Sequence, residues 1–246
     1  MELGIRKGTG IEEVLANLNP VVEEIKLLKP ADNKYYTLLK KYQQYLAVDV
    51  FAGPEKGLTK MKRQMEITPI DEVLQPQEIN QFLQGTIVYD TSRHDDGNAV
   101  MTGCFITRLI QNSYNAGYNG FMINTELLTN PLSFLGDKLQ GTSEDHLRLD
   151  IKGDLYNSPG FGSEYCHFKV GGNAGYFDLG WYARNSVFTL YGETKGLSPL
   201  VGGIQNVTLY VKDEGTLNEF LNLNCKEIRL YRLTPPGEEL VYDYGS

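Results

Sequence analysis

Residues 168–196 read FKVGGNAGYFDLGWYARNSVFTLYGETKG, and the stretch says nearly the same thing twice. Phe168-Lys169-Val170 leads to Gly172, and twenty residues on Phe188-Thr189-Leu190 leads to Gly192. The pattern extends both ways. Alternating apolar pairs recur at Leu147/Leu149/Ile151, Phe168/Val170, Phe188/Leu190, Leu209/Val211 and Ile228/Leu230. Stepping through Leu149, Phe168, Phe188, Leu209 and Ile228 gives intervals of 19, 20, 21 and 19 residues. Polar or amphipathic residues alternate with them (Arg148, Lys169, Thr189, Tyr210, Arg229), as strands with one buried face require. Gly153, Gly172 and Gly192 follow at one place in each unit, with Asp213 in the fourth, and mark corners expected to need positive φ. A fixed period near 20 with turn residues in each unit predicts a solenoid, whose stacked coils bury what one coil cannot. The L-x-x-L-x-L-x-x-N pattern of leucine-rich repeats is missing, so a parallel β-solenoid is expected.

Upstream the texture differs. Residues 11–84 hold only two glycines and read as helical. Ile11, Val14, Leu15 and Leu18 make one face, and Val21, Val22, Ile25 and Leu28 resume it beyond Pro20. Tyr35, Leu38, Leu39, Tyr42 and Leu46 form a stripe behind an N-cap at Asp32 or Asn33. ITPIDEVLQPQEINQFLQG, 67–85, reads as two short helices with a proline near each start. The expected fold is therefore α+β: a helical N-terminal region over 1–84, then a right-handed single-stranded parallel β-solenoid over 85–246. That second domain has one inserted helix near 98–115.

The repeats resemble a known family: the glycine-rich β-helix domain that ends the large subunit of glutamate synthase and forms the C subunit of formylmethanofuran dehydrogenase. Its units have the form G-D/N-A-x-D-Y-x-G-x-G-x-x-x-G-x-I-x-V, and Gly172, Asn173, Ala174 and Gly180 match it. LRLDIKGDLYNSPGFG resembles the L-x-L-x-G-D-A-N-D-x-x-G coil, with Gly153-Asp154 and Asn157 kept. In DTSRHDDGNAVMTGCFITRLIQ, Arg93, Ala99 and Gly103 match the family's run before its helix, with two extra residues after Arg93. The resemblance covers roughly residues 85–233. Many family glycines are missing after residue 196, and 125–145 looks like an insertion or a distorted coil. In glutamate synthase the domain is a spacer between catalytic units, so the resemblance implies scaffolding without flavin, cluster or amidotransferase chemistry.

Composition narrows the function classes. A formal net charge of −8 without a basic block argues against nucleic-acid binding. Apolar runs are far too short for a membrane span, and the acidic N-terminus lacks a signal core, which points to the cytoplasm. Cys104, Cys166 and Cys225 are widely spaced, as buried thiols in a reducing compartment would be. The most reactive stretch is YDTSRHDDGN, 89–98. His94, Asp95 and Asp96 are the candidate metal ligands there, with His146 of SEDH as a distant contributor. The competing reading is a polar loop whose Asp95, Asp96 or Asn98 caps the following helix. Arg93 ties that helix to the first coil or binds an anion. Strand alternation turns Cys166 inward and His167 outward, so the neighbours cannot act as nucleophile and base. GGNAG and KGDLYNSPGFG do not join strand to helix as nucleotide loops do. Trp181, Tyr182 and Tyr176 form either core or a partner surface. No catalytic residue and no cofactor is expected. A non-catalytic structural or assembly subunit with a protein partner or a second copy of itself is the leading expectation. The alternative is an enzyme with its site at the 93–98 loop against the first coils.

Overall fold

The computed structural model describes residues 34–47, 67–90, 96–176, 182–194, 203–222, 227–235 and 237–243. The first expected helix (11–30), the Asp32/Asn33 cap, Arg93, His94, Asp95, Trp181 and Cys225 lie outside them.

Among the described residues three helices precede the sheet: α1 (Lys34–Leu46), α2 (Pro76–Asp90) and α3 (Asp96–Asn115). On α1 the stripe turns Leu38 and Tyr42 fully inward together with Tyr45, while Tyr35, Leu39 and Leu46 are half-buried. Tyr42 meets Phe82 of α2 and Phe105 of α3 edge-on, at 5.8 and 5.2 Å between ring centres. Its hydroxyl hydrogen-bonds the Thr102 hydroxyl at 2.8 Å, so the phenol is buried with its polar tip satisfied. α2 starts at Pro76, whose missing N–H costs nothing in the first turn, and Glu78 accepts from the Gln75 amide at 2.8 Å. α3 ends at Gly117, φ 102°, where Tyr118 N donates to Ser113 O across the left-handed residue. Only the second of the two helices expected over 67–85 spans the segment. Residues 69–75 are irregular, because α3 side chains take up their backbone: Leu74 N donates to Ser113 Oγ, and Asn112 Nδ2 donates to Ile70 O. Ile70 and Leu74 are buried all the same.

The strands are β1 (Gly120–Asn124), β2 (Leu147–Lys152), β3 (Leu155–Asn157), β4 (Cys166–Val170), β5 (Ala174–Tyr176), β6 (Val187–Leu190), β7 (Val207–Val211), β8 (Ile228–Thr234) and β9 (Gly237–Asp243). A fourth helix, α4 (Glu214–Asn222), lies between β7 and β8. Asp213 caps it, its Oδ1 accepting from Thr216 N at 2.7 Å. One sheet holds seven strands in the order β1-β2-β4-β6-β7-β8-β9, parallel except for the closing β8–β9 pair. β3 and β5 form a separate parallel pair.

The expected α+β fold with a parallel β-solenoid is thus corrected to a mixed α/β fold with a seven-stranded, mostly parallel sheet and four helices. A solenoid coil contributes a strand to a continuous sheet on each of its faces. Among the described residues only one face does so: the second has two strands, and the rest is single-residue bridging such as Gln140–Glu164–Arg184–Gln205. Helix α4 then interrupts the series, and β9 turns back antiparallel.

The repeat is nevertheless a real strand register. Leu149 pairs with Phe168, Phe168 with Phe188, and Phe188 with Leu209. The next partner is Leu230, and Ile228 pairs with Val207. Alternation alone cannot choose between two inward positions two residues apart. All seven side chains are buried, and Phe168 and Phe188 stack at 4.9 Å with planes 7° apart. Of the glycine corners, Gly153 has the expected positive φ, 99°, and the next two differ. Gly172 and Gly192 do not have positive φ. A Cβ on Gly172 would lie 2.4 Å from the Gly153 carbonyl carbon, and one on Gly192 would lie 2.5 Å from Gly172 O. Successive corners are stacked too closely for any side chain. They are linked by a ladder in which Asp154 Oδ1 accepts from Asn173 N and Asn173 Oδ1 from Glu193 N.

Candidate functional site

The turn before β2 is built from Thr142 to Asp145: Thr142 N donates to Asp145 O, and Asp145 N donates to Thr142 Oγ1. Tyr114, near the end of α3, donates its hydroxyl to Asp145 O, and Asn119 Nδ2 donates to Asp145 Oδ1 at 2.6 Å. This anchoring fixes His146 just ahead of Leu147. Leu147 pairs with Cys166 and Arg148 with His167, and burial of Leu147, Leu149, Cys166 and Phe168 turns Arg148 and His167 to the other face. His146 and His167 are both half-buried there, and His146 Nδ1 lies 2.8 Å from His167 Nε2. Their rings are nearly perpendicular, 4.8 Å apart, and Tyr165 lies 5.8 Å from His146. One imidazole must donate and the other accept, so the contact forbids a doubly protonated pair. Burial first, then His146 and Arg148, hold the His167 pKa below the ordinary histidine value.

Of the candidate ligands read from the sequence, His94 and Asp95 lie outside the described residues, and Asp96 begins α3. Asn98 is buried inside that helix. His146 is brought to His167, a partner sequence reasoning missed. The signal was present: Arg148 and His167 are one repeat apart, and His146 stands two residues earlier on the same face. Among the described residues no group of three or more His, Cys, Asp or Glu could hold a metal ion.

The thiols are chemically quiet. Cys166 is fully buried, its Sγ 3.2 Å from Glu164 O, and burial pushes its pKa up to about 12. Cys104 of α3 is raised further, by burial and then by the nearby Asp137 charge. Burial pushes Asp137 itself up to about 6, and its Oδ1 is enclosed without a hydrogen-bond partner. Both thiols sit far from the conditions that make a nucleophile.

Two surfaces carry aromatic side chains among polar ones. A groove of about 410 Å³ runs past Gln140, Glu164 and Arg184 on one side and Phe161 and Tyr182 on the other. Tyr182, the aromatic that sequence reading left between core and surface, is 55% exposed with φ 75°. It meets Phe161 edge-on at 6.1 Å. The outward face of the large sheet carries a second arrangement. Met122, Asp150, Lys169, Thr189, Tyr210 and Tyr231 stand in register on six consecutive strands. The two tyrosines stack at 4.9 Å.

Comparison of the chain with protein-family models, curated proteins and solved structures returns no match. The likeness to the glutamate synthase domain therefore rests on the quoted motifs alone. No helix among the described residues is long and apolar enough to cross a membrane.

Proposed function

We propose that the chain is a non-catalytic structural or assembly subunit that uses the outward face of its large sheet to hold a protein partner. The observation that supports this reading is the six-strand row from Met122 to Tyr231. Its strand spacing repeats about every 4.8 Å, so the row presents a hydrogen-bonded platform roughly 24 Å long. At one end Met122 is 48% exposed, and at the other the stacked tyrosines offer large amphipathic surfaces at small entropic cost. Asp150 and Lys169 between them supply opposite charges that set orientation more than affinity.

The test replaces Tyr210 and Tyr231 with glutamate in the chain expressed at its native level. The complex is read by native mass spectrometry and by photo-crosslinking from position 189. Loss of a stoichiometric complex, with circular dichroism unchanged, is the expected result. An unchanged complex, or a wild-type chain that stays monomeric with no crosslinks, would overturn the reading. A crosslink from one copy to another would identify the partner as the chain itself.

A further inference from the structure

We propose that His146 and His167 together form a two-imidazole site for a divalent transition-metal ion of tetragonal preference, Cu(II) or Ni(II). The nitrogen spacing carries the inference. With metal–imidazole bonds of about 2.0 Å, adjacent nitrogens at a square-planar ion lie about 2.8 Å apart, against about 3.3 Å at a tetrahedral one. His146 Nδ1 and His167 Nε2 are already 2.8 Å apart. The hydrogen-bonded contact thus already sets the two nitrogens at the cis distance of a tetragonal site, and a turn of the rings would aim both lone pairs at one ion.

The scaffold keeps them there. His167 lies within a strand paired on both sides, to β2 and β6. His146 follows a turn locked by Thr142, Asn119 and Tyr114 through Asp145. Pre-placement of this kind lowers the entropic cost of binding. Proton accounting is also favourable. In the metal-free contact the two neutral rings carry one N–H each, and one of these lies between them. On binding, that ring moves its proton to its other nitrogen, so both facing nitrogens offer lone pairs and no net proton is released. Arg148, across from His167, works against the cation, and water completes the coordination. The site is accordingly a labile, partly exposed one rather than a closed structural centre.

The chain has three histidines, so the remaining one, His94, provides the control. Wild type, His146→Gln, His167→Gln and His94→Gln are titrated with CuCl2 near neutral pH. Electron paramagnetic resonance counts the bound nitrogens, and urea unfolding of the metal-free proteins confirms that all four fold. One copper with two imidazole nitrogens is expected in wild type and in His94→Gln. At least a tenfold weaker affinity and a one-nitrogen spectrum are expected in each of the other two. Equal binding by all four proteins, a one-nitrogen spectrum in wild type, or loss of copper in His94→Gln would overturn the two-residue site.

Discussion

Replacing Phe188 by alanine tests the strand register where it bears most weight. Phe188 is fully buried between Phe168 and Leu209, and its Cε1 would lie 2.8 Å from a Cβ on Gly160, which places the ring tight against the facing loop. Removing the ring loses about 2–3 kcal/mol of transfer free energy. A residual cavity of about 100 Å³ adds roughly 2 kcal/mol at 24 cal/mol per Å³. The expected loss is therefore about 4–5 kcal/mol. Thr189, next along the strand, points outward and is half-buried. Its alanine variant should lose no more than about 1 kcal/mol, the scale of strand propensity. Urea unfolding with a common m-value measures both. Because Phe168 and Phe188 stack face to face, a double-mutant cycle should return a coupling of about 0.5–1.5 kcal/mol. Equal losses at 188 and 189, or zero coupling between 168 and 188, would refute the register.

Alanine at Gly172 or Gly192 should destabilise by about 2 kcal/mol or more through backbone collision, whereas Gly120→Ala, with open space around it, should be neutral or slightly stabilising; thermal melts compare the three. The Asn80→Ala/Gln84→Ala pair removes side chains that bond both backbone groups of Asn124, and should speed amide exchange at Asn124 while leaving β6 protected. Burial raises the Asp137 pKa from the ordinary 3.8 to about 6, so the folded state binds the proton more tightly. Its contribution falls as pH rises from about 4 to about 6, with a ceiling of about 3 kcal/mol at 1.36 kcal/mol per unit. Asp137→Asn should therefore flatten that part of the stability–pH curve and raise stability at pH 7, and an unaltered curve would dismiss the buried carboxyl as its source.

What could be read from the sequence was what depends on local alternation. The period near 20 placed Leu149, Phe168, Phe188 and Leu209 in contact, and the 3.6-residue stripe found Leu38 and Tyr42. Alternation likewise put Cys166 inside and His167 outside. It failed where a choice depends on partners remote in sequence. The shift from Ile228 to Leu230 follows an inserted helix, and the irregular 69–75 segment follows hydrogen bonds to Ser113 and Asn112, some forty residues away. Glycine was read for its conformational freedom at Gly172 and Gly192, but the reason there is the backbone lying against them. The extrapolation from repeat to solenoid failed for a related reason. A repeated strand guarantees one sheet, while closing a coil needs pairing on the remaining faces as well. The His146–His167 contact needed two facts at once, the register of β2 on β4 and the position of the residue just before β2.

The two ends of the sheet bear on how a partner could be held. A parallel sheet with bare edges invites strand addition, and both edges are managed here. At β1, Asn80 and Gln84 of α2 occupy the donor and acceptor of Asn124. At the other end β9 is the last strand, turned antiparallel, and carries Glu238, Glu239 and Asp243. Two of these are engaged across the hairpin, Glu239 with Arg232 at 3.1 Å and Asp243 with Arg229 at 3.8 Å. A strand added at β9 would lie alongside that acidic series, which disfavours both another copy of β9 and any acidic peptide. Edge addition is thus discouraged at each end by a different device, side-chain amides at one and charge at the other. The inward face is filled by the core. Of the surfaces the large sheet offers among the described residues, the outward row from Met122 to Tyr231 is the one left for a partner under the proposed function, which is why its test is aimed at Tyr210 and Tyr231 rather than at β9.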